Sequence, residues 1–175
     1  MSQTDSKLKF NCRAYEEYEG ELRDRVNAEM DRYGFFAFND RQFDEGMDKL
    51  KRTLPEGFKL YQTGGGYFVW TEKWEYVNGL VSEPKRLLAE RMEADHDFAR
   101  GAFLSEMMNH EFAYNTYQGW WDVCECFNPG SELEFDEGRD YRDYLGELGY
   151  SEAVIECCRQ AAVRYWRMCE ENGWW

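Results

Sequence analysis

Phe58-Lys59-Leu60-Tyr61-Gln62-Thr63-Gly64-Gly65-Gly66-Tyr67-Phe68-Val69-Trp70-Thr71 is the stretch that decides the fold class. Its two halves, 58–62 and 67–71, carry aromatic and β-branched side chains suited to a pleated, half-buried surface. Between them, three glycines supply the backbone freedom that a tight reversal needs. The pattern predicts an antiparallel hairpin, with Pro55-Glu56-Gly57 as the turn that leads into it. The glycines do not read as a phosphate loop. No Lys-Ser/Thr follows them, and the next segment has strand character rather than helical.

Helical periodicity surrounds the hairpin. Tyr15, Tyr18, Leu22, Val26, Met30 and Tyr33 recur at spacings of three and four, predicting a helix over 14–33 that Gly34 stops. Phe35–Phe38 reads as a short buried strand. Asn39 or Asp40 then caps a helix over 40–52, with Phe43, Met47 and Leu50 inward. Helical patterning resumes after Thr71, with an interruption near Pro84, and runs to about residue 112. A short apolar segment, Trp120–Phe127, ends at Asn128-Pro129-Gly130. Residues 136–148 read as a helix with Tyr141, Tyr144, Leu145 and Leu148 inward. Ser151 caps a last helix to 171, ended by Asn172-Gly173. The expected fold is α+β: a single helix-rich domain, 1–175, with a small antiparallel sheet.

Composition narrows the function classes. Aromatic residues make up 18% of the 175, too many for a disordered chain, and favour a packed globule. Trp174 and Trp175 are expected to dock on it. The formal net charge is −14, and residues 101–175 hold fifteen Asp/Glu against five Arg. Direct nucleic-acid binding needs a basic face, so an acidic surface points to a basic partner or to solubility. No apolar run is long enough to span a membrane, and MSQTDSKLKF lacks the apolar core of a signal peptide. The expected location is cytoplasmic, with reduced thiols. The cysteines at 12, 124, 126, 157, 158 and 169 match no zinc-finger or ribbon spacing, so neither metal nor cofactor is expected.

Two constellations stand out. On the expected 136–148 helix, Asp136, Asp140, Asp143 and Glu147 fall within about 60° of one another at about 100° per residue. They give one carboxylate per roughly 5–6 Å of axis, against phosphates rising about 3.4 Å along one nucleic-acid strand. The stripe is thus a candidate partner-binding face imitating part of one strand. The other constellation is Asn109, His110, Glu111 and Tyr114. Adjacent helical residues point about 100° apart, so His110 and Glu111 do not converge on one atom unaided. The expected role of His110 is structural, bonded to a carbonyl or carboxylate. The alternative is a small enzyme using His110 and Glu111. No nucleophile elbow, kinase or dinucleotide fingerprint accompanies them, and no catalytic residue is assigned.

Gly34-Phe35-Phe36-Ala37-Phe38 followed by Gln42-Phe43, and Asn109-His110-Glu111 followed by Tyr114, resemble an uncharacterised family of small proteins from phages and mobile elements of gut bacteria. That resemblance implies a setting in which small acidic proteins disarm host defences. The expected function is an inhibitor of a nucleic-acid-targeting defence system, a CRISPR effector or restriction enzyme in the bacterial host cell. It would bind that basic nucleic-acid-binding protein by mimicry. The alternative is a mobile-element accessory or regulatory domain for an unknown ligand.

Overall fold

The computed structural model describes residues 8–110, 112, 117–130 and 133–174. Seven α-helices and three strands occur among them: α1 (Cys12–Tyr33), β1 (Gly34–Phe36), α2 (Asp40–Leu50), β2 (Leu60–Gln62), β3 (Tyr67–Trp70), α3 (Trp74–Ala94), α4 (His96–Asn109), α5 (Tyr117–Cys126), α6 (Tyr141–Glu147) and α7 (Glu152–Asn172). The protein is α+β, helix-rich, with a small antiparallel sheet. The chain forms two compact units, residues 21–83 and residues 1–20 with 84–175. The divisions fall within α1 and α3.

The unit of residues 21–83 holds the sheet, in the order β1-β3-β2. Leu60 pairs with Trp70 and Gln62 with Phe68, so the expected hairpin is present. Its turn needs glycine, because Gly65 and Gly66 adopt φ of +73° and +78°. β1 pairs with the other edge of β3, Gly34 opposite Val69. Gly34 follows α1 directly, but its absent side chain matters for packing rather than for a left-handed turn. A Cβ there would strike the Phe68 carbonyl and the Tyr67 ring. Phe35, Ala37 and Leu50 are buried together, with Phe43 and Phe68 packed against them. Phe36 and Phe38, expected inside a buried strand, are 55% and 74% exposed. Both faces of the sheet are covered, Phe35 and Phe68 by one cluster and Tyr67 and Val69 by Met30, Tyr33, Trp74 and Val77. Phe36, however, ends the strand and lies on the Tyr67 ring, centres 4.9 Å apart, with its outer side in solvent. Asn39 caps α2 through its side-chain oxygen, which accepts from the Gln42 N–H at 3.0 Å.

The other unit is built on α4 and α7, which pack along each other. Phe98, Ala99, Ala102, Phe103 and Met107 of α4 and Val154, Cys158 and Ala161 of α7 are at most 1% exposed. Phe127 closes on Phe103, ring centres 4.9 Å apart. The start of the chain joins this core: the Asn11 N–H donates to the Asp97 carbonyl at 3.1 Å, and Arg100 Nε donates to the Lys9 carbonyl at 2.9 Å. Gly101 permits the approach, since a Cβ there would meet the Asn11 backbone.

Three boundaries differ from expectation. Pro84 sits inside α3 without ending it, and the break comes at Asp95, whose side chain caps α4 by accepting from the Phe98 N–H at 3.0 Å. The apolar segment at 120–127 is helical from Tyr117. Residues 136–140 are not helical: α6 starts at Tyr141, with Asp140 as its cap. Trp174 is 59% exposed rather than docked, and Trp175 lies outside the described residues.

Candidate functional site

The last turn of α4 places Glu106 and His110 four residues apart, on one helix face. Cys126, the last residue of α5, meets them. His110 Nε2 lies 3.5 Å from Glu106 Oε2 and 3.2 Å from Cys126 Sγ. The three donor atoms all lie within 4.8 Å of one another. Glu106 is only 9% exposed, and burying a carboxylate is costly unless it is bonded. It is bonded on its other oxygen: the Tyr15 hydroxyl donates to Oε1 at 2.6 Å, and Asn109 Nδ2 approaches the same oxygen at 3.5 Å. The Cys126 thiol also lies 3.3 Å from the Asp122 carbonyl, to which it can donate. Burial, with the Glu106 carboxylate beside it, pushes this thiol up to about 12. Burial and the same carboxylate push the Tyr15 phenol well above its ordinary value.

Of the four residues singled out around His110, the structure brings Asn109 and His110 to this cluster. Glu111 and Tyr114 lie outside the described residues. The partners of His110 are Glu106, one turn back, and Cys126 on the next helix.

The acidic segment is arranged differently from a helical stripe. Asp140 and Asp143 form a capping box at the start of α6: Asp140 Oδ1 accepts from the Arg142 N–H at 2.8 Å, and Asp143 Oδ2 accepts from the Asp140 N–H at 3.1 Å. Glu147 is paired with Arg139, whose guanidinium also lies 4.6 Å from the Tyr144 ring centre. Asp136 stands in the loop before α6. That loop is pinned by the buried Tyr144, whose hydroxyl donates to the Asp136 carbonyl at 3.1 Å and accepts from the Asp136 N–H at 3.2 Å. The loop presents Glu134, Phe135, Asp136 and Glu137, all exposed, and among the described residues the three carboxylates have no ion pair.

The sequence profile of a family of unknown function, DUF7659, matches residues 18–119, more than half of the chain. The chain belongs to this family. No curated protein matches it significantly. No solved structure does so either. The DUF7659 match takes in Glu106, Asn109 and His110, and leaves Tyr15 and Cys126 outside it.

Sequence reasoning paired His110 with its neighbour Glu111 and overlooked Glu106. The i, i+4 spacing of Glu106 and His110 within a helical pattern was the available signal. Cys126 carried none, because only the return of α5 against α4 brings it into reach.

Proposed function

We propose that this DUF7659 member is an acidic interaction protein that binds a basic nucleic-acid-handling protein, a CRISPR effector or restriction enzyme. It would occupy the surface that nucleic acid would otherwise take, in the phage or mobile-element setting its motifs suggest. The observation that carries the reading is the loop Glu134-Phe135-Asp136-Glu137: three exposed carboxylates around a 43%-exposed aromatic ring, held in place by Tyr144. Carboxylates offer charge where phosphates would sit, and the ring offers a stacking face of the kind bases provide. The charge of the whole unit supports the reading. Residues 1–20 and 84–175 hold twenty-three Asp/Glu against twelve Lys/Arg, whereas residues 21–83 hold twelve against nine. Asp140, Asp143 and Glu147 contribute to the field, but their side chains are engaged in capping and pairing.

The test is inhibition of duplex cleavage by guide-loaded CRISPR effectors and restriction endonucleases from the host, titrated with the purified protein. Inhibition is expected to fall steeply with salt and to be relieved by excess duplex DNA, because ions are released when the basic partner is neutralised. Changing Glu134, Asp136 and Glu137 together to Lys is expected to abolish it. Inhibition that survives this change, or that ignores salt, overturns the reading.

A further inference from the structure

We infer that Glu106, His110 and Cys126 form a binding site for one divalent transition-metal ion, with zinc the best match. This inference is independent of the proposed interaction with a basic protein. Three observations carry it. First, the donor set suits the ion: a thiolate, an imidazole nitrogen and a carboxylate oxygen are the three side-chain ligand types that zinc takes. Second, the spacing suits it. Bonds of about 2.1 Å to nitrogen and about 2.3 Å to sulfur, meeting at a tetrahedral angle, set those atoms roughly 3.5 Å apart. The His110 Nε2 to Cys126 Sγ distance is 3.2 Å and the His110 Nε2 to Glu106 Oε2 distance is 3.5 Å. Small side-chain adjustments therefore suffice. Third, the field suits a cation. The cluster lies at the C-terminal ends of both α4 and α5, where helix dipoles present partial negative charge.

The neighbours of the cluster fit the second layer of a metal site. Tyr15 holds Glu106 Oε1, which leaves Oε2 turned toward His110. A hydrogen bond to the non-ligating oxygen orients a carboxylate ligand in this way. His110 has 42% of its side chain exposed, so one flank of the site opens to water. Three protein ligands with an open side leave a fourth position for water or a small anion. Binding must displace the thiol proton, which in the metal-free protein can bond to the Asp122 carbonyl. The proton is released to solvent, and affinity therefore rises with pH.

Cobalt(II) is the probe, because thiolate ligation gives a near-ultraviolet charge-transfer band that carboxylate and imidazole ligation do not. The full chain, reduced and stripped with chelator, is titrated with Co²⁺ and then with competing Zn²⁺. The expected result is one equivalent of Co²⁺ with a thiolate band, bleached by Zn²⁺, and a rise in melting temperature with either ion. Cys126→Ser is expected to lose the band and His110→Gln to weaken binding, while Cys12→Ser keeps both. Tyr15→Phe is expected to keep the band and weaken affinity by about tenfold or more. Circular dichroism of each stripped variant checks that it folds. No thiolate band in the folded wild-type protein overturns the inference. A band that persists in Cys126→Ser also overturns it, since the thiolate then comes from elsewhere.

Discussion

The Tyr15 hydroxyl reaches Glu106 Oε1 at 2.6 Å, joining α1 to α4 between residues 91 positions apart in sequence. The bond is buried at both ends, so its loss strands a carboxylate oxygen with one weak partner, Asn109 at 3.5 Å. Tyr15→Phe keeps the ring contacts with Phe98 and Phe127 and removes only the donor. The expected loss is about 1.5–3 kcal/mol of unfolding free energy, the range for a hydrogen bond to a charged group. Urea denaturation at neutral pH measures it.

Alkaline pH should destabilise the protein. The Cys126 thiol ionises near 9.0 when unfolded and is held up to about 12 in the fold, chiefly by burial. Between those values the unfolded chain releases a proton that the folded chain keeps. The stability linked to this group is therefore complete below pH about 9 and lost as pH rises toward about 12. Tyr67, pushed up to about 12 from 10.0 by burial, adds to the upper part of the window. The urea midpoint is expected to fall through this range, and less steeply in Cys126→Ser. An equal slope in that variant would remove Cys126 from the account.

Two helical glycines should respond to alanine with opposite sign. Gly79 in α3 has nothing within 4 Å of where a Cβ would sit, so Gly79→Ala is expected to stabilise by about 0.5–1 kcal/mol. Gly101 in α4 lies against the Asn11 backbone, which cannot yield as a flexible side chain would. Gly101→Ala is expected to destabilise by about 1–3 kcal/mol or to release the segment around Asn11. Thermal melts separate the two, and hydrogen exchange at Asn11 and Tyr15 reports the release.

The acidic residues near α6 should divide into two classes. Asp140→Ala is expected to lower stability by about 1 kcal/mol, because it removes the cap of α6. Glu134→Ala, Asp136→Ala and Glu137→Ala are expected to leave the melting temperature within error and to weaken partner binding. A stable Asp140→Ala would mean the capping box contributes little.

The elements that the sequence made legible are those whose periodicity and end signals agree. Leu22 and Val26 mark α1, Asn39 marks the start of α2, and Gly65 with Gly66 marks the hairpin. Where two signals compete, the reading slips. Pro84 looks like a breaker but is accommodated within α3, while Asp95, one of several acids in its neighbourhood, makes the real break. Asp136 and Asp140 share a helical spacing with Asp143, yet the backbone is not helical there, because Asp140 bonds the N–H of Arg142 instead. Partly for this reason a four-acid stripe read on one helix becomes a capping box, an ion pair and a loop acid. The His110 site was half legible. Its helical partner Glu106 follows from spacing, whereas Tyr15 and Cys126 arrive through tertiary packing that no local pattern encodes.

The unit that contains α4 and α7 is assembled from both sides of the stretch 21–83. This has a consequence for the order of events during translation. Lys9 and Asn11 leave the ribosome long before Asp97 and Arg100, the residues whose hydrogen bonds hold them. By then the hairpin and its β1 partner have all their strands available, since every pairing of the sheet lies within residues 34–70. The nascent chain therefore passes through a stage in which the sheet can close while the start of α1 still lacks its core. Tyr15 remains exposed until α4 has been synthesised.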